Sequence, residues 1–150
     1  MMLAAMLDEA IGLEEKIHAC YRALSRLSDN GLSAELRELA QEEKSHVNVL
    51  RTGKSFVIRA PGAFGSVAVS CEEIRQGLKA AERLEEDLLS ARLGLADGVH
   101  RLAALEKRFE RAHFHTSVEI QDFAMRKLFE ALARADAEHR QRLERLLDGV

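Results

Sequence analysis

The feature that most constrains the fold is a polar pair set into an otherwise apolar helical stripe. Between Leu36 and Leu50, apolar residues recur in steps of three and four, which is the spacing of one face of an α-helix. Glu43 and His46 occupy the two middle positions of that stripe. Burial of a carboxylate and an imidazole is costly unless a partner binds them. The pattern therefore predicts a helix whose buried face carries two metal ligands, three residues apart.

This stripe and the stripe of the helix before it both recur later in the chain. A stripe with a single acid is repeated 71 residues further along, from Glu14 to Glu85. The acid-x-x-histidine pair is repeated 93 residues further along, from position 43 to position 136, as Asp136 and His139. Because the two displacements differ by 22, we place an insertion at residues 98–116. The sequence is interpreted as two helix-turn-helix halves, each with a lone acid on its first helix.

Turn and capping signals divide the chain into helices. The short turn at Ser28–Gly31 predicts two antiparallel helices, and the segment 52–70, which holds the only proline, predicts a long crossover. Capping boxes at Ser70–Glu73 and Thr116–Glu119 predict two later helix starts, and Asp97-Gly98 predicts a helix end. The predicted fold is all-α, a four-helix bundle in a single domain over 1–150, with an extra helical segment near 98–116. The predicted helices are 3–27, 32–51, 71–96, 99–113 and 117–147.

Composition and charge argue against several other classes of protein. The net charge of −3 does not favour nucleic-acid binding. The two cysteines, Cys20 and Cys71, cannot form a four-cysteine iron or zinc site within this chain. No apolar run approaches the roughly 18 residues of a membrane span. Asp8 and Glu9 interrupt the region where a signal peptide would be apolar, so we expect a cytoplasmic protein without a membrane partner.

These residues resemble the ferritin-like superfamily, and within it the rubrerythrin-like proteins. The resemblance covers the four helices and implies a ferritin-like bundle with two metal ions in its core. It implies that Tyr21, seven residues after Glu14, lies near the metals as a catalytic residue. The chain departs from the family pattern at Asp136, where a glutamate is expected, and at Arg92, where the second half would repeat Tyr21. The metal ligands implied by the resemblance are Glu14, Glu43, His46, Glu85, Asp136 and His139.

The charge of this ligand set suits two divalent ions, because four carboxylates and two neutral imidazoles carry −4. Oxygen and imidazole donors suit iron or manganese, and zinc can occupy the same ligands. The resemblance implies an oxidoreductase that acts in peroxide or oxygen defence as a homodimer. Since the rubredoxin unit of full-length rubrerythrins has no counterpart here, an external electron donor of the rubredoxin type is expected. The alternatives are an iron oxidation, storage or transfer protein and a metal-binding bundle without redox activity.

Some neighbouring acids compete for the same roles. Glu15 is an alternative to Glu14, and Glu82 and Glu86 are alternatives to Glu85. The phase of the stripes and the repeat favour Glu14 and Glu85.

Other residues with metal-binding or redox chemistry have simpler interpretations. His18 follows Glu14 by one helical turn but is expected to face solvent. His113 and His115 form an H-x-H pair that suits either a secondary metal site or the polar residues before the start of the last predicted helix. We favour the second interpretation. Cys20 is interpreted as a small buried thiol, and Cys71 as an unpaired residue at a helix N-terminus.

Overall fold

The computed structural model describes residues 3–60 and 72–148, which form five helices without a strand in those ranges. The prediction of an all-α chain is confirmed. The helices are α1 (Leu3–Leu27), α2 (Asn30–Arg59), α3 (Glu72–Leu89), α4 (Leu95–Glu119) and α5 (Phe123–Asp148).

Four of these helices form a bundle, and α3 lies against one side of it. α1 packs against α2, and α4 packs against α5; contacts of α1 with α4 and of α2 with α5 close the bundle. α3 packs against α1 and α4 through the apolar face that carries Ile74, Ala81 and Leu84. The first pair of helices is antiparallel because Asp29 caps α2 directly after α1 ends, with its carboxylate accepting from the Leu32 amide at 3.2 Å.

The apolar core is split into two clusters by polar side chains near the middle of the bundle. One cluster includes Leu13, Ile17, Leu36 and Phe109. The other includes Leu7, Leu50 and Phe129. Because both clusters exclude water, the polar residues between them are held in a low-dielectric interior, where their charges interact strongly.

The segment 98–116, which was predicted to be an insertion, lies inside α4 and is part of the bundle. Asp97-Gly98 does not end a helix but lies in the first turn of α4. The glycine is needed for close packing there, since a Cβ at Gly98 would lie 2.6 Å from Leu24 Cδ2. The chain turns instead after α3, at Ala91, where φ is 59°.

Other predicted boundaries also differ from the structure. Thr116–Glu119 is not a capping box, because these residues continue α4; Asp122 caps α5 by accepting from the Met125 amide at 3.0 Å. α2 continues to Arg59, beyond the predicted end at 51. The remainder of the predicted crossover and the first two residues of the Ser70–Glu73 capping box lie outside the described residues. None of the helices in the described ranges is both long and apolar enough to cross a membrane.

Candidate metal centre

Seven polar side chains meet between the two apolar clusters, and each of the four bundle helices contributes at least one. All four carboxyl groups and His113 are fully buried, His139 is 1% exposed, and the side chain of His46 is 19% exposed. The seven residues are Glu14 on α1, Glu43 and His46 on α2, Glu106 and His113 on α4, and Asp136 and His139 on α5.

These side chains form three overlapping groups that can hold a metal ion. In each group, one donor atom from every residue lies within 4.8 Å of the others. Glu14 belongs to two groups and Glu43 belongs to two groups, so the three groups form a continuous cluster. The groups are Glu14, His113 and Asp136; Glu14, Glu43 and His46; and Glu43, Glu106 and His139.

Glu43 lies at the centre of the cluster and faces two imidazoles. Its Oε1 is 2.8 Å from His139 Nδ1, and its Oε2 is 3.5 Å from His46 Nδ1. His46 and His139 stack on each other, with ring centroids 5.6 Å apart and planes inclined by 14°. Glu43 could therefore help to hold an ion on the His46 side, on the His139 side, or on both.

Seven donor atoms in the cluster are buried and lack a hydrogen-bond partner among the described residues. Buried polar atoms are nearly always satisfied, because leaving one unpaired costs about 1–3 kcal/mol. Eight buried side-chain atoms are unpartnered in the described part of the chain, and seven of them belong to this cluster. They are both carboxyl oxygens of Glu14, Glu43 Oε2, His46 Nδ1, Glu106 Oε2, His113 Nε2 and Asp136 Oδ1. Cations placed among these atoms would satisfy them together.

Burial sets the protonation of the carboxyl groups when no ion is bound. It raises the pKa of Glu14 well above its usual range, and the adjacent charge of Glu43 raises it further. Burial raises the pKa of Asp136 and of Glu106 in the same way. Burial alone would raise the pKa of Glu43 too, but the protonated neighbours Glu14 and His139 outweigh it and hold that pKa well below its usual range. Of the four carboxyl groups, Glu43 is therefore the one that ionises most readily in the metal-free cluster.

His139 and His113 differ in charge in the metal-free cluster. Burial works against a charge on His139, but the nearby acids Glu106, at 3.8 Å from Nδ1, and Glu43, at 2.8 Å, outweigh it and raise the pKa of His139 to about 10. Burial lowers the pKa of His113 to about 4, so this ring is neutral at physiological pH. A neutral imidazole is the form that binds metals.

Tyr21 reaches the cluster from α1. Its hydroxyl donates a hydrogen bond of 3.0 Å to Glu106 Oε1, and its ring meets His139 edge-on at 6.0 Å between centroids. Burial raises the pKa of the Tyr21 phenol well above its usual range, so the hydroxyl keeps its proton. The expected position of Tyr21 beside the ligand residues agrees with this geometry.

Of the six residues named as ligands from the sequence, the structure brings together Glu14, Glu43, His46, Asp136 and His139. Glu85 does not join them. It lies on α3, outside the bundle, where its carboxylate is 24% exposed and accepts from Lys16 Nζ at 2.8 Å. Glu106 on α4 takes the position that was assigned to Glu85. The alternatives Glu82 and Glu86 are exposed on α3.

The sequence contains a signal that identifies Glu106 and His113. Val99, Leu102, Glu106, Phe109 and His113 repeat the three-and-four spacing of the stripe on α1 that ends in Tyr21. The displacement from position 14 to position 106 is 92, which nearly equals the 93 from position 43 to position 136. This pairing of α1–α2 with α4–α5 needs only one extra residue, whereas the pairing through Glu85 required an insertion of 22.

The remaining candidates have ordinary structural roles. Glu15 is exposed and pairs with Arg51. His18 Nδ1 lies 2.7 Å from the Ala40 carbonyl oxygen, and His115 is exposed beside Glu73 at 3.2 Å. The buried thiol of Cys20 donates to the Ala81 carbonyl oxygen at 3.4 Å, and burial raises its pKa to about 12. Cys71 lies outside the described residues.

The cluster approaches solvent along the edge of α2 and α5. His46 is its most exposed member, and Glu42, which is partly exposed, lies 3.8 Å from His139 Nε2. Arg142 covers this edge by donating to Glu42 at 2.6 Å and to Glu35 at 2.7 Å.

No family model, characterised protein or solved structure matches this chain. The functional assignment therefore depends on the residues and geometry described above.

Proposed function

We propose that this chain is a rubrerythrin-like protein of the ferritin-like superfamily that binds two metal ions, most favourably iron, and reduces peroxide or dioxygen with electrons from an external donor. The observation that carries the proposal is the set of seven buried donor atoms without partners, which face one another at the centre of the bundle. Carboxylate and imidazole donors in this number match a dinuclear centre built from facing helices.

Charge balance supports two divalent ions rather than one or three. When Glu14, Glu43, Glu106 and Asp136 are all ionised, the cluster carries −4, and two divalent ions neutralise it. A net charge of either sign would be expensive in a core from which water is excluded. The imidazoles do not change this balance, because a histidine binds metal in its neutral form.

The residues of the cluster would have different roles. Glu43 faces His46 and His139 at once and can bridge the ions, while Glu14 and Glu106 lie at opposite ends of the cluster. Two ferrous ions would supply the two electrons that, with two protons, reduce one hydrogen peroxide to two waters. The Tyr21 hydroxyl keeps its proton and donates a hydrogen bond of 3.0 Å to Glu106 Oε1, which would orient that carboxylate beside the ions while the two protons come from solvent.

The proposal is tested by loading the protein with ferrous ion without oxygen and then mixing it rapidly with hydrogen peroxide or with dioxygen. Ferric absorbance in the near ultraviolet should rise much faster than in Glu43→Gln, which lacks the bridging carboxylate. Glu15→Gln is the matched control, because Glu15 is exposed and, among the described residues, forms a surface ion pair with Arg51. This control should oxidise at the wild-type rate.

The outcomes separate the alternatives. Oxidation that stops at about two ferrous ions per chain supports the oxidoreductase if consumption of the oxidant resumes when a rubredoxin-type donor reduces the iron again. Oxidation that continues far beyond that load in a large oligomer would favour iron storage. A wild-type protein that binds iron but oxidises it no faster than Glu43→Gln would overturn the redox function and leave a metal-binding bundle.

A further inference from the structure

The aromatic positions of the two halves of the bundle are equivalent, but they carry different residues. Tyr21 follows Glu14 by seven residues on α1, and His113 follows Glu106 by seven residues on α4. Each is directed at the acid of the opposite half. The Tyr21 hydroxyl lies 3.0 Å from Glu106, and His113 Nε2 lies 3.7 Å from Glu14 Oε1.

The two contacts differ in chemistry. The Tyr21 hydroxyl donates a proton to its acid, so that contact is a complete hydrogen bond. His113 Nε2 and Glu14 Oε1 are both without a hydrogen-bond partner, and their separation of 3.7 Å is too long for a hydrogen bond between them. Two donor atoms of this kind, fully buried and facing each other, are satisfied by a cation between or beside them.

Asp136 orients the His113 ring for this role. Asp136 Oδ2 lies 2.6 Å from His113 Nδ1. When bound ions keep Asp136 ionised, this oxygen can accept the Nδ1 proton, which leaves the Nε2 lone pair free for a metal. A carboxylate that fixes the tautomer of a metal-binding histidine in this way is a common supporting feature of metal sites. The other oxygen, Oδ1, is unpartnered and remains available to the ions.

The same contact explains why an aspartate stands where the related family has a glutamate. Asp136 is the counterpart of Glu43 in the second half, and Glu43 uses both oxygens on the imidazoles of His46 and His139. A glutamate at 136 would extend one methylene further towards the cluster. The shorter side chain leaves space for the His113 ring and holds it with one oxygen.

We propose that His113 is a third imidazole ligand of the centre, bound through Nε2 to the ion that Glu14 holds, with Asp136 as its positioning residue. The inference rests on the proposed dinuclear site and makes that site asymmetric. The ion on the Glu14 side has His46 and His113, whereas the ion on the Glu106 side has His139. Additional imidazole favours iron, cobalt or zinc over manganese at the first position.

The number of coordinated histidines tests this directly. The chain contains six histidines, and in protein labelled at histidine and loaded with cobaltous ion, each coordinated ring gains a large contact shift through the metal–nitrogen bond. A nearby ring that is not bonded to the metal has no contact shift. We expect three contact-shifted imidazoles in the wild type, two in His113→Gln, and three in the control His115→Gln, whose histidine is exposed beside Glu73.

Affinity provides a second readout. His113→Gln should weaken binding of one of the two cobaltous ions by at least about tenfold to 100-fold, the cost of losing a group that only supports a ligand, and leave the other nearly unchanged. His115→Gln should bind both ions as the wild type does.

A wild-type protein that binds two ions and shows only two contact-shifted imidazoles would overturn the role of His113 and leave the dinuclear centre intact. A wild-type protein that binds no cobaltous ion would instead refute the dinuclear centre itself. Because the wild-type spectrum alone distinguishes these results, the test does not depend on the folding of His113→Gln.

Discussion

Tyr21 on α1 donates a hydrogen bond of 3.0 Å to Glu106 on α4, within a part of the core that both residues share with His139. This contact joins the two halves of the bundle across the proposed metal centre. It also identifies α4, and not α3, as the third helix that contributes a carboxylate.

Glu106→Gln and Glu85→Gln form a matched pair of variants. We expect Glu106→Gln to lose one of the two bound ions, because an amide carries no charge and binds metal weakly, whereas Glu85→Gln should retain both. Metal analysis of each purified protein checks this. Equal loss in both variants would mean that α3 contributes a ligand, contrary to the exposed Lys16–Glu85 pair.

Tyr21→Phe removes the hydroxyl but keeps the buried ring. We expect the free energy of unfolding of the metal-free protein to fall by about 1 kcal/mol, because one buried hydrogen bond is lost, and the bound metal to stay at the wild-type level. Oxidation of the iron-loaded protein by peroxide should slow, since Glu106 loses the hydrogen-bond donor that orients it. Urea unfolding and rapid mixing measure the two effects. An unchanged oxidation rate would show that Tyr21 has only a packing role.

The metal-free protein should lose stability as the pH rises from about 7 to 10. The pKa values of Glu14, Glu106 and Asp136 are raised by burial. Their contribution to the free energy of unfolding is therefore present at pH values below their unfolded-state pKa of about 4, and it is lost as the pH rises through their folded-state pKa values. The pKa of His139 is raised to about 10, so its contribution is present below about 6.5 and is lost as the pH rises through 10. The lowered pKa values of Glu43 and His113 change the stability only at pH values below this range.

Thermal unfolding of chelator-treated protein across this pH range measures the effect. Asp136→Asn, which cannot ionise at this position, should show a smaller fall of the unfolding temperature with rising pH. A midpoint that rises between pH 7 and 10 would contradict the assignment of protons to the buried carboxyl groups.

Metal binding should release protons, because the ions displace them from the groups with raised pKa values. The pKa values of Glu14, Glu106, Asp136 and His139 are all raised, so binding of two divalent ions near neutral pH should displace protons from these groups. Titration of weakly buffered protein with zinc measures this release, and the apparent affinity should rise with pH. Binding without proton release would show that the carboxylates are already ionised in the metal-free protein.

The sequence was informative where a polar residue interrupts an apolar stripe. The positions of Glu43 and His46, and of Asp136 and His139, follow from helical periodicity alone, because a buried face fixes which side chains point inward. Glu14 was found in the same way. These residues needed no knowledge of how the helices pack.

Glu85 was a misleading candidate because its stripe has the same spacing as the stripe around Glu14. Spacing shows which face of a helix is apolar, but it does not show whether the acid lies at the centre or at the edge of that face. On α3 the acid lies at the edge and pairs with Lys16. His113 was not chosen as a ligand because Thr116–Glu119 resembled a helix start, which made His113 the last residue of the preceding helix and favoured a polar helix entrance; it lies within α4.

The most direct test of the account is the metal content of the protein after anaerobic reconstitution with iron, measured by mass spectrometry beside the Glu43→Ala variant. Glu43 belongs to two of the three ligand groups, so its removal affects both ions. We predict about two iron atoms per chain in the wild type and loss of most of them in Glu43→Ala. A wild-type chain that retains no stoichiometric metal would contradict the account, and a metal load that is equal in both proteins would place the metal elsewhere.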